Sequence, residues 1–337
     1  MLTFPGNPRP APVFNVPALL DAARDPLLVT KLQLPPTPTD LVPRSDVLDK
    51  LNPRPGQRVT LLCAPTGFGK TTVLREWAER TTRPVAWVSL DRGDNDPARF
   101  WSYVIAAVQA WIPDAAGGAL ALARMPEQPP LEYIVTALIN AVAASDLDLS
   151  LVLDDYEAIA TADIHRSVRY LLDHLPPQLH VLIASRVDPP FSFGRLRALG
   201  QMGELRANEL RFGRDEATTF LNDAMGLELT PEAVATLDAR TEGWIAGLRL
   251  AALAIRQQSD PDRFISGFTG SHRAIVDYLT DEVLEQQPES VLRFMLQTSI
   301  LDRLTGTLCD AVTGRDDSQI VLEGLERANA FLIPLDD

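Results

Sequence analysis

Leu61-Leu-Cys-Ala-Pro-Thr-Gly-Phe-Gly-Lys-Thr-Thr72 decides the fold. An apolar run reads as a buried strand, a glycine-bearing turn follows, and Val73, Leu74 and Trp77 then recur at helical spacing. Strand, tight loop and helix start is the context that turns Gly-Lys-Thr into a phosphate-binding loop. The loop from Ala64 and Pro65 to Gly69 and the helix start at Thr72 form the phosphate cradle: amides such as those of Thr66 and Phe68 point at phosphate oxygens, and Gly67 and Gly69 allow close backbone approach. Lys70 reaches the β and γ phosphates, and the Thr71 hydroxyl is a ligand for Mg²⁺. Ala64 stands where such loops usually begin with glycine, which is tolerable if its φ is negative.

Outward from the loop, near-continuous apolar strands are expected at 59–64, 85–90, 149–154 and 180–185, with a fifth near 205–212. Helical spacing appears at 71–80, 97–112, 130–144 and 163–174. Such alternation implies a parallel sheet with helices on both faces. Beyond Gly213 only helical patterns continue, at 215–225, 231–239 and 242–255. After a break at 266–271 come 273–284, 288–298 and 317–328, then a β-like stretch at 331–335. The expected organisation is an N-terminal tail (1–30), a P-loop nucleotide-binding domain (31–212), a helical domain (213–265) and a winged-helix domain (266–337).

Two further strand ends carry candidate chemistry. Ser150-Leu-Val-Leu-Asp-Asp-Tyr-Glu157 puts carboxylates at the edge where open α/β sheets bind ligands. Asp154 is the expected Mg²⁺ ligand and Asp155 the group that orients or deprotonates the attacking water, with Glu157 in reserve. Leu182-Ile-Ala-Ser-Arg-Val-Asp188 brings Arg186 to the same edge, where a guanidinium can sense a γ-phosphate.

Composition narrows the classes. The net charge of −14 and the lack of a basic block argue against DNA binding by this core. Cys63 and Cys309 lie far apart and form neither a disulfide framework nor a metal motif, and no apolar run is long enough for a membrane span, so a cytoplasmic location is expected. Residues 1–23 are proline-rich without the charged and apolar regions of a secretory signal. His165, His174, His180 and His272 show no ligand spacing.

Taken in order, several motifs carry a resemblance. They are Lys31-Leu-Gln-Leu-Pro-Pro36, Val42-Pro-Arg44, the loop at 64–72, Ala86-Trp-Val-Ser-Leu-Asp91 and Asp94-Asn-Asp-Pro-Ala-Arg-Phe-Trp101, then the strand ends at 151–156 and 184–186. Thr241-Glu-Gly-Trp-Ile-Ala-Gly-Leu248, Thr298-Ser-Ile-Leu-Asp-Arg-Leu304 and Leu308-Cys-Asp-Ala-Val-Thr-Gly314 complete the series. Together they resemble the nucleotide-binding core of the STAND signalling ATPases, in particular the MalT-like large LuxR-type transcription regulators.

That resemblance implies an ATP/ADP switch. ADP holds the module closed, ATP with Mg²⁺ permits opening and self-association, and slow ATP hydrolysis resets it. It also implies Arg44 near the adenine and Arg186 as the phosphate sensor. The class's Gly-x-Pro contact would fall at Gly247-Leu-Arg249, with arginine replacing the proline. The family's effector-binding sensor and LuxR-type DNA-binding modules are expected outside these 337 residues. Two other classes compete: a metabolic P-loop phosphotransferase, which needs an acceptor pocket, and a DNA-binding protein acting through the winged helix, which needs a basic recognition helix.

Overall fold

A computed structural model describes residues 26–127, 129–258, 261–268, 273–280, 288–301 and 303–327. The first module alternates strands and helices: α1 (Ser45–Leu51), β1 (Val59–Cys63), α2 (Lys70–Arg80), β2 (Val85–Ser89), α3 (Pro97–Gln109), α4 (Pro113–Ala123) and α5 (Leu131–Ala143). It continues with β3 (Leu149–Asp154), α6 (Ala162–Asp173), β4 (Leu179–Ser185), α7 (Gly194–Ala198), β5 (Met202–Arg206) and α8 (Ala207–Leu210). The sheet is parallel throughout, in the order β2-β3-β4-β1-β5.

Strand alternation explains why both faces are covered. Leu61, Leu151, Leu153, Val181 and Ile183 join one buried cluster with α3 to α6. Leu62, Val152, Leu182 and Ala184 face the other way, onto Val47 and Leu51 of α1 and Leu74 and Trp77 of α2. Because β1 lies between β4 and β5, its C-terminal end delivers the loop at 64–69 to the interior of the sheet edge.

Several boundaries differ from the sequence reading. The fifth strand lies earlier, at Met202–Arg206 in register with Val59–Cys63, and residues 207–210 are helical. It is an edge strand with Leu205 alone buried, so its apolar signal is weak. The extra helix α4 follows Pro113. Residues 27–30, assigned above to the tail, pack on the first module: Leu27 is buried and the Leu28 amide donates to the Tyr103 hydroxyl at 3.0 Å. Lys31 pairs with Asp94, and with Asp91 at 2.8 Å. The rest of the tail, residues 1–25, lies outside the described residues, as do His272 and the β-like stretch at 331–335.

Helices then follow alone: α9 (Arg214–Thr218, continued by a π-helical turn at Thr219–Ala224), α10 (Pro231–Thr241), α11 (Ile245–Ile255), α12 (Pro261–Gly267) and α13 (Arg273–Leu279). Phe220, Leu221, Leu237, Leu248, Ala252, Ile265, Phe268 and Ile275 form one core. The helical module therefore reaches past residue 265, because Ile275 of α13 is buried within it and not in the last module. That module holds α14 (Glu289–Thr298), α15 (Gly306–Thr313) and α16 (Ser318–Arg327) around Phe294, Cys309, Leu322 and Leu325. No helix among the described residues is long and apolar enough to cross a membrane.

At the end of the sheet away from the loop, one face carries a buried polar row. Ser150 and His180 are register partners, and His180 Nε2 lies 3.0 Å from Thr60 Oγ1. Burial, with Arg83 nearby, pushes the His180 imidazole down to about 3. Its folded value lies below the unfolded one, so its contribution to stability is complete above about pH 6.5 and is lost as pH falls toward 3. Stability should fall by on the order of 1 kcal/mol per pH unit across that window from this group. Urea unfolding of wild type and His180→Gln between pH 7.5 and 4.5 checks this: the variant should show the shallower decline.

Candidate functional site

Lys70, Thr71, Asp154, Asp155, Glu157 and Arg186 meet at the C-terminal ends of β1, β3 and β4. The loop turns where glycine permits it: Gly67 has φ +81 and Gly69 φ +77. Ala64 is absent from the positive-φ residues, which is why alanine serves at the loop's first position; its amide donates to the Ser185 carbonyl at 3.2 Å. Phe68 is buried against Leu62 and Leu74, fixing the loop from beneath.

Lys70, at the start of α2, folds back under the loop and donates to the carbonyls of Ala64 (2.7 Å) and Pro65 (3.1 Å). Burial lowers its ammonium below the ordinary lysine range, opposed by the Glu157 and Asp155 carboxylates. Next along the helix, the Thr71 hydroxyl donates to Asp154 Oδ1 at 3.1 Å. Burial, and then the Asp155 charge, push the Asp154 carboxyl up to about 7, against the hydrogen bond from Thr71 and the Lys70 charge. A buried carboxylate beside a threonine hydroxyl is a donor set for Mg²⁺, whose charge would offset the desolvation that now raises Asp154.

Asp155 departs from the strand with φ 57 and ψ 44, a left-handed turn that carries its side chain off the β3 face. It precedes a 3-10 turn at Tyr156–Ala158 and makes no side-chain capping bond to it. Glu157, the reserve candidate for activating water, is differently used. Its Oε1 lies 2.8 Å from Arg186 Nε, and its Oε2 accepts from the Arg186 amide at 3.0 Å. Both oxygens anchor Arg186, so Glu157 is the holder of that guanidinium and not a second base.

Arg44, which the resemblance puts near the adenine, is bound within the protein. All three guanidinium nitrogens serve protein acceptors: Nε meets Glu216 Oε1 at 2.8 Å, Nη1 the Leu210 carbonyl at 2.8 Å, and Nη2 the Arg211 carbonyl at 2.8 Å. These bonds commit the group to the connector between modules.

The helical module covers the loop. Trp244 Nε1 donates to the Thr66 carbonyl at 3.0 Å and the Ala246 amide to the Gly67 carbonyl at 3.1 Å. A Cβ on Gly67 would lie 2.5 Å from Ala246 Cβ, 2.6 Å from Trp244 Nε1 and 3.1 Å from the Tyr278 hydroxyl; one on Gly69 would lie 3.1 Å from Ile245 Cδ1. The contact expected at Gly247-Leu-Arg249 therefore falls at Gly243-Trp-Ile245. Gly247 packs on the Trp244 ring, and Arg249 pairs with Asp40 at 3.0 Å. Trp244 and Tyr278 were not singled out from sequence; the 241–248 motif was visible, but which of its faces meets the loop depends on how the modules pack. A groove of about 890 Å³ lies beside the site, between α6 and the segment after β4. Tyr156, His165 and Phe191 line it, with Glu157 and Ser185 at the end nearer Lys70.

Comparison with known proteins adds the context. Residues 280–337 match the MalT winged helix domain family. The MalT transcriptional regulator of Cronobacter sakazakii is 33% identical over 315 residues, an alignment covering 92% of this chain and 35% of that protein. The regulator of Yersinia enterocolitica matches over the same extent. The chain thus spans about a third of the length of these curated relatives. Among solved structures, a Walker-type ATPase of Pyrococcus abyssi superposes with a TM-score of 0.60 at 15% identity, over 88% of this chain and 93% of that one. A signal transduction ATPase with numerous domains (STAND) and a tetratricopeptide repeat sensor, from Pyrococcus horikoshii, gives a TM-score of 0.50 at 16% identity, over 88% of this chain and 40% of that one. At these identities the likeness is one of fold, and that fold is a P-loop ATPase sheet followed by helical and winged-helix modules.

The packing on Gly67 is directly testable. Gly67→Ala imposes an unfavourable positive φ and a collision with Ala246 and Trp244, costing on the order of 2–4 kcal/mol. The urea midpoint should fall accordingly, whereas Gly56→Ala, also at positive φ but with nothing within 4 Å, should lose less.

Proposed function

We propose that this chain, similar over 92% of its length to MalT transcriptional regulators about a third of whose length it spans, is the nucleotide-switched core of a MalT-like regulator. It binds ADP or ATP with Mg²⁺, is closed with ADP, opens and self-associates with ATP, and resets by slow hydrolysis. The observation that carries this reading is the Thr71–Asp154 hydrogen bond beside Lys70, which joins the phosphate loop to the acidic strand end.

The residues divide the work by position. Amides of residues 66–72, at the loop and the start of α2, hold the phosphates, and Lys70 exchanges its two loop carbonyls for the β and γ oxygens. Thr71 and Asp154 would hold Mg²⁺, which when bound would supply charge neutralisation of the phosphates. Asp155, turned off the end of β3, accepts the proton of the attacking water. Arg186 meets the γ-phosphate, and Glu157 keeps it aimed when that phosphate is gone. DNA contact is assigned to other parts of the regulator, because the net charge of −14 opposes nonspecific phosphate binding by this core. The core is a cytoplasmic protein in this reading.

Lys70→Ala should lower ATP affinity by at least about a hundredfold, since a charge-assisted contact to a poorly solvated phosphate is lost. Isothermal calorimetry on the folded variant measures it, and near-wild-type affinity would remove the loop from the argument.

A second outcome separates the two acids. Asp155→Asn should slow single-turnover hydrolysis with ATP affinity nearly kept, while Asp154→Asn should weaken binding only when Mg²⁺ is present. Equal loss of binding in both variants, with unchanged turnover of the bound fraction, would reverse the assignment.

A further inference from the structure

Arg44 lies in the segment before α1, far in sequence from the connector it grips. Its side chain is 5% exposed, so its charge has been taken out of water and must be repaid by acceptors. The acceptors come from one stretch. Leu210 and Arg211 present carbonyls at 2.8 Å, Glu209 adds one at 3.3 Å, and Glu216 contributes its carboxylate at 2.8 Å. These carbonyls lie at the end of α8, where the helix leaves its last acceptors without backbone partners. The Phe212 ring lies beneath the guanidinium, 5.2 Å from ring centre to Cζ.

The gripped stretch, 209–216, is the connector between the sheet module and the helical module. Glu216 holds its far end as well, accepting from the Gly213 amide at 2.8 Å at the start of α9. From the connector a short path leads back to the phosphate loop. The Phe212 amide donates to the Gly243 carbonyl at 2.9 Å, and the next residue, Trp244, donates to Thr66. On the other side, Arg44 directly precedes α1, whose Val47 and Leu51 pack with Leu74 and Trp77 of the loop's own helix.

From this geometry we infer that Arg44 is a positioning residue, the pin that sets the angle of the helical module over the phosphate loop. The forked guanidinium is what the position requires. One planar group reaches, through its three nitrogens, the carbonyls of three consecutive residues and a carboxylate, which a lysine ammonium on a flexible stem does not reproduce. Arg44 acts on the nucleotide only through the connector and Trp244, not by touching the base. The pin rests on the proposed switch only for what the closure is used for; the contacts that make the closure are those between protein groups.

The test uses the full chain with spin labels on Tyr133→Cys and Leu253→Cys, exposed positions on the sheet and helical modules; Cys63 and Cys309 are buried. Interspin distances are measured without nucleotide and with ADP in wild type, Arg44→Lys, Arg44→Ala and Glu216→Gln. Wild type should give a single short population. Arg44→Lys and Arg44→Ala should both gain a longer one, and Glu216→Gln, which keeps the carbonyl contacts, a smaller share of it. The ADP-to-GDP affinity ratio of Arg44→Lys should stay within about threefold of wild type, less than 1 kcal/mol. Distances like wild type in Arg44→Lys and Glu216→Gln overturn the pin, and so does a collapsed ADP-to-GDP ratio with wild-type distances, which would make Arg44 a base ligand. Should Arg44→Ala fail to fold, the other two variants decide. Wild type that binds no nucleotide would sink the proposed function, while the distances without nucleotide still judge the pin.

Discussion

A phosphate loop turns its amides inward, so its carbonyls face out and need donors from somewhere else. Here those donors belong to the helical module: the Trp244 indole takes the Thr66 carbonyl and the Ala246 amide takes that of Gly67. Buried carbonyls without partners are costly, so the covering module cannot lift away without water or another donor replacing it. Much of the remaining architecture follows from that seat. Gly67 has no room for a side chain, Gly243 must let Phe212 approach, and the connector at 209–216 must hold α11 at one angle.

The electrostatics beneath the seat are arranged in opposition. Lys70 is buried and its ammonium disfavoured, eased by the Glu157, Asp155 and Asp154 carboxylates, while Asp154 is buried and its carboxylate disfavoured, eased by Thr71 and Lys70. Such a set gains from a polyphosphate and a dication together, since each new charge meets a group already out of water. Arg186 and Glu157 stand at the rim as a self-satisfied pair, which a γ-phosphate can divide by offering Arg186 a better acceptor. A ligand that changes the partners of Arg186 has the differential contact a two-state module needs.

The parallel sheet and the loop were legible because their signals are local. β1, β3 and β4 are continuous apolar runs, and Gly69-Lys-Thr71 follows one strand and opens one helix. α4 was not expected, because Pro113, Gly117 and Gly118 weaken a helical signal although a proline at the first helical turn is favourable. β5 was displaced because an edge strand buries one residue where a central strand buries all. The roles of Arg44, Glu157 and Trp244 were beyond the sequence for a shared reason. Each is defined by a partner in another element, Glu216, Arg186 and Thr66 respectively, and spacing along the chain carries no trace of such pairing. Which part of the 241–249 stretch meets the loop was hidden for the same reason: only the packing of Trp244 and Ala246 on Thr66 and Gly67 selects it over Gly247-Leu-Arg249.

A covered loop that needs charge to satisfy Lys70 and Asp154 makes one claim that can be checked without any variant. The protein, purified without added nucleotide, is denatured and the released small molecules are separated by ion-pair chromatography and weighed by mass spectrometry. Stoichiometric ADP is the predicted result. Recovery of no nucleotide, together with no ADP binding by the refolded chain in the presence of Mg²⁺, would contradict the account.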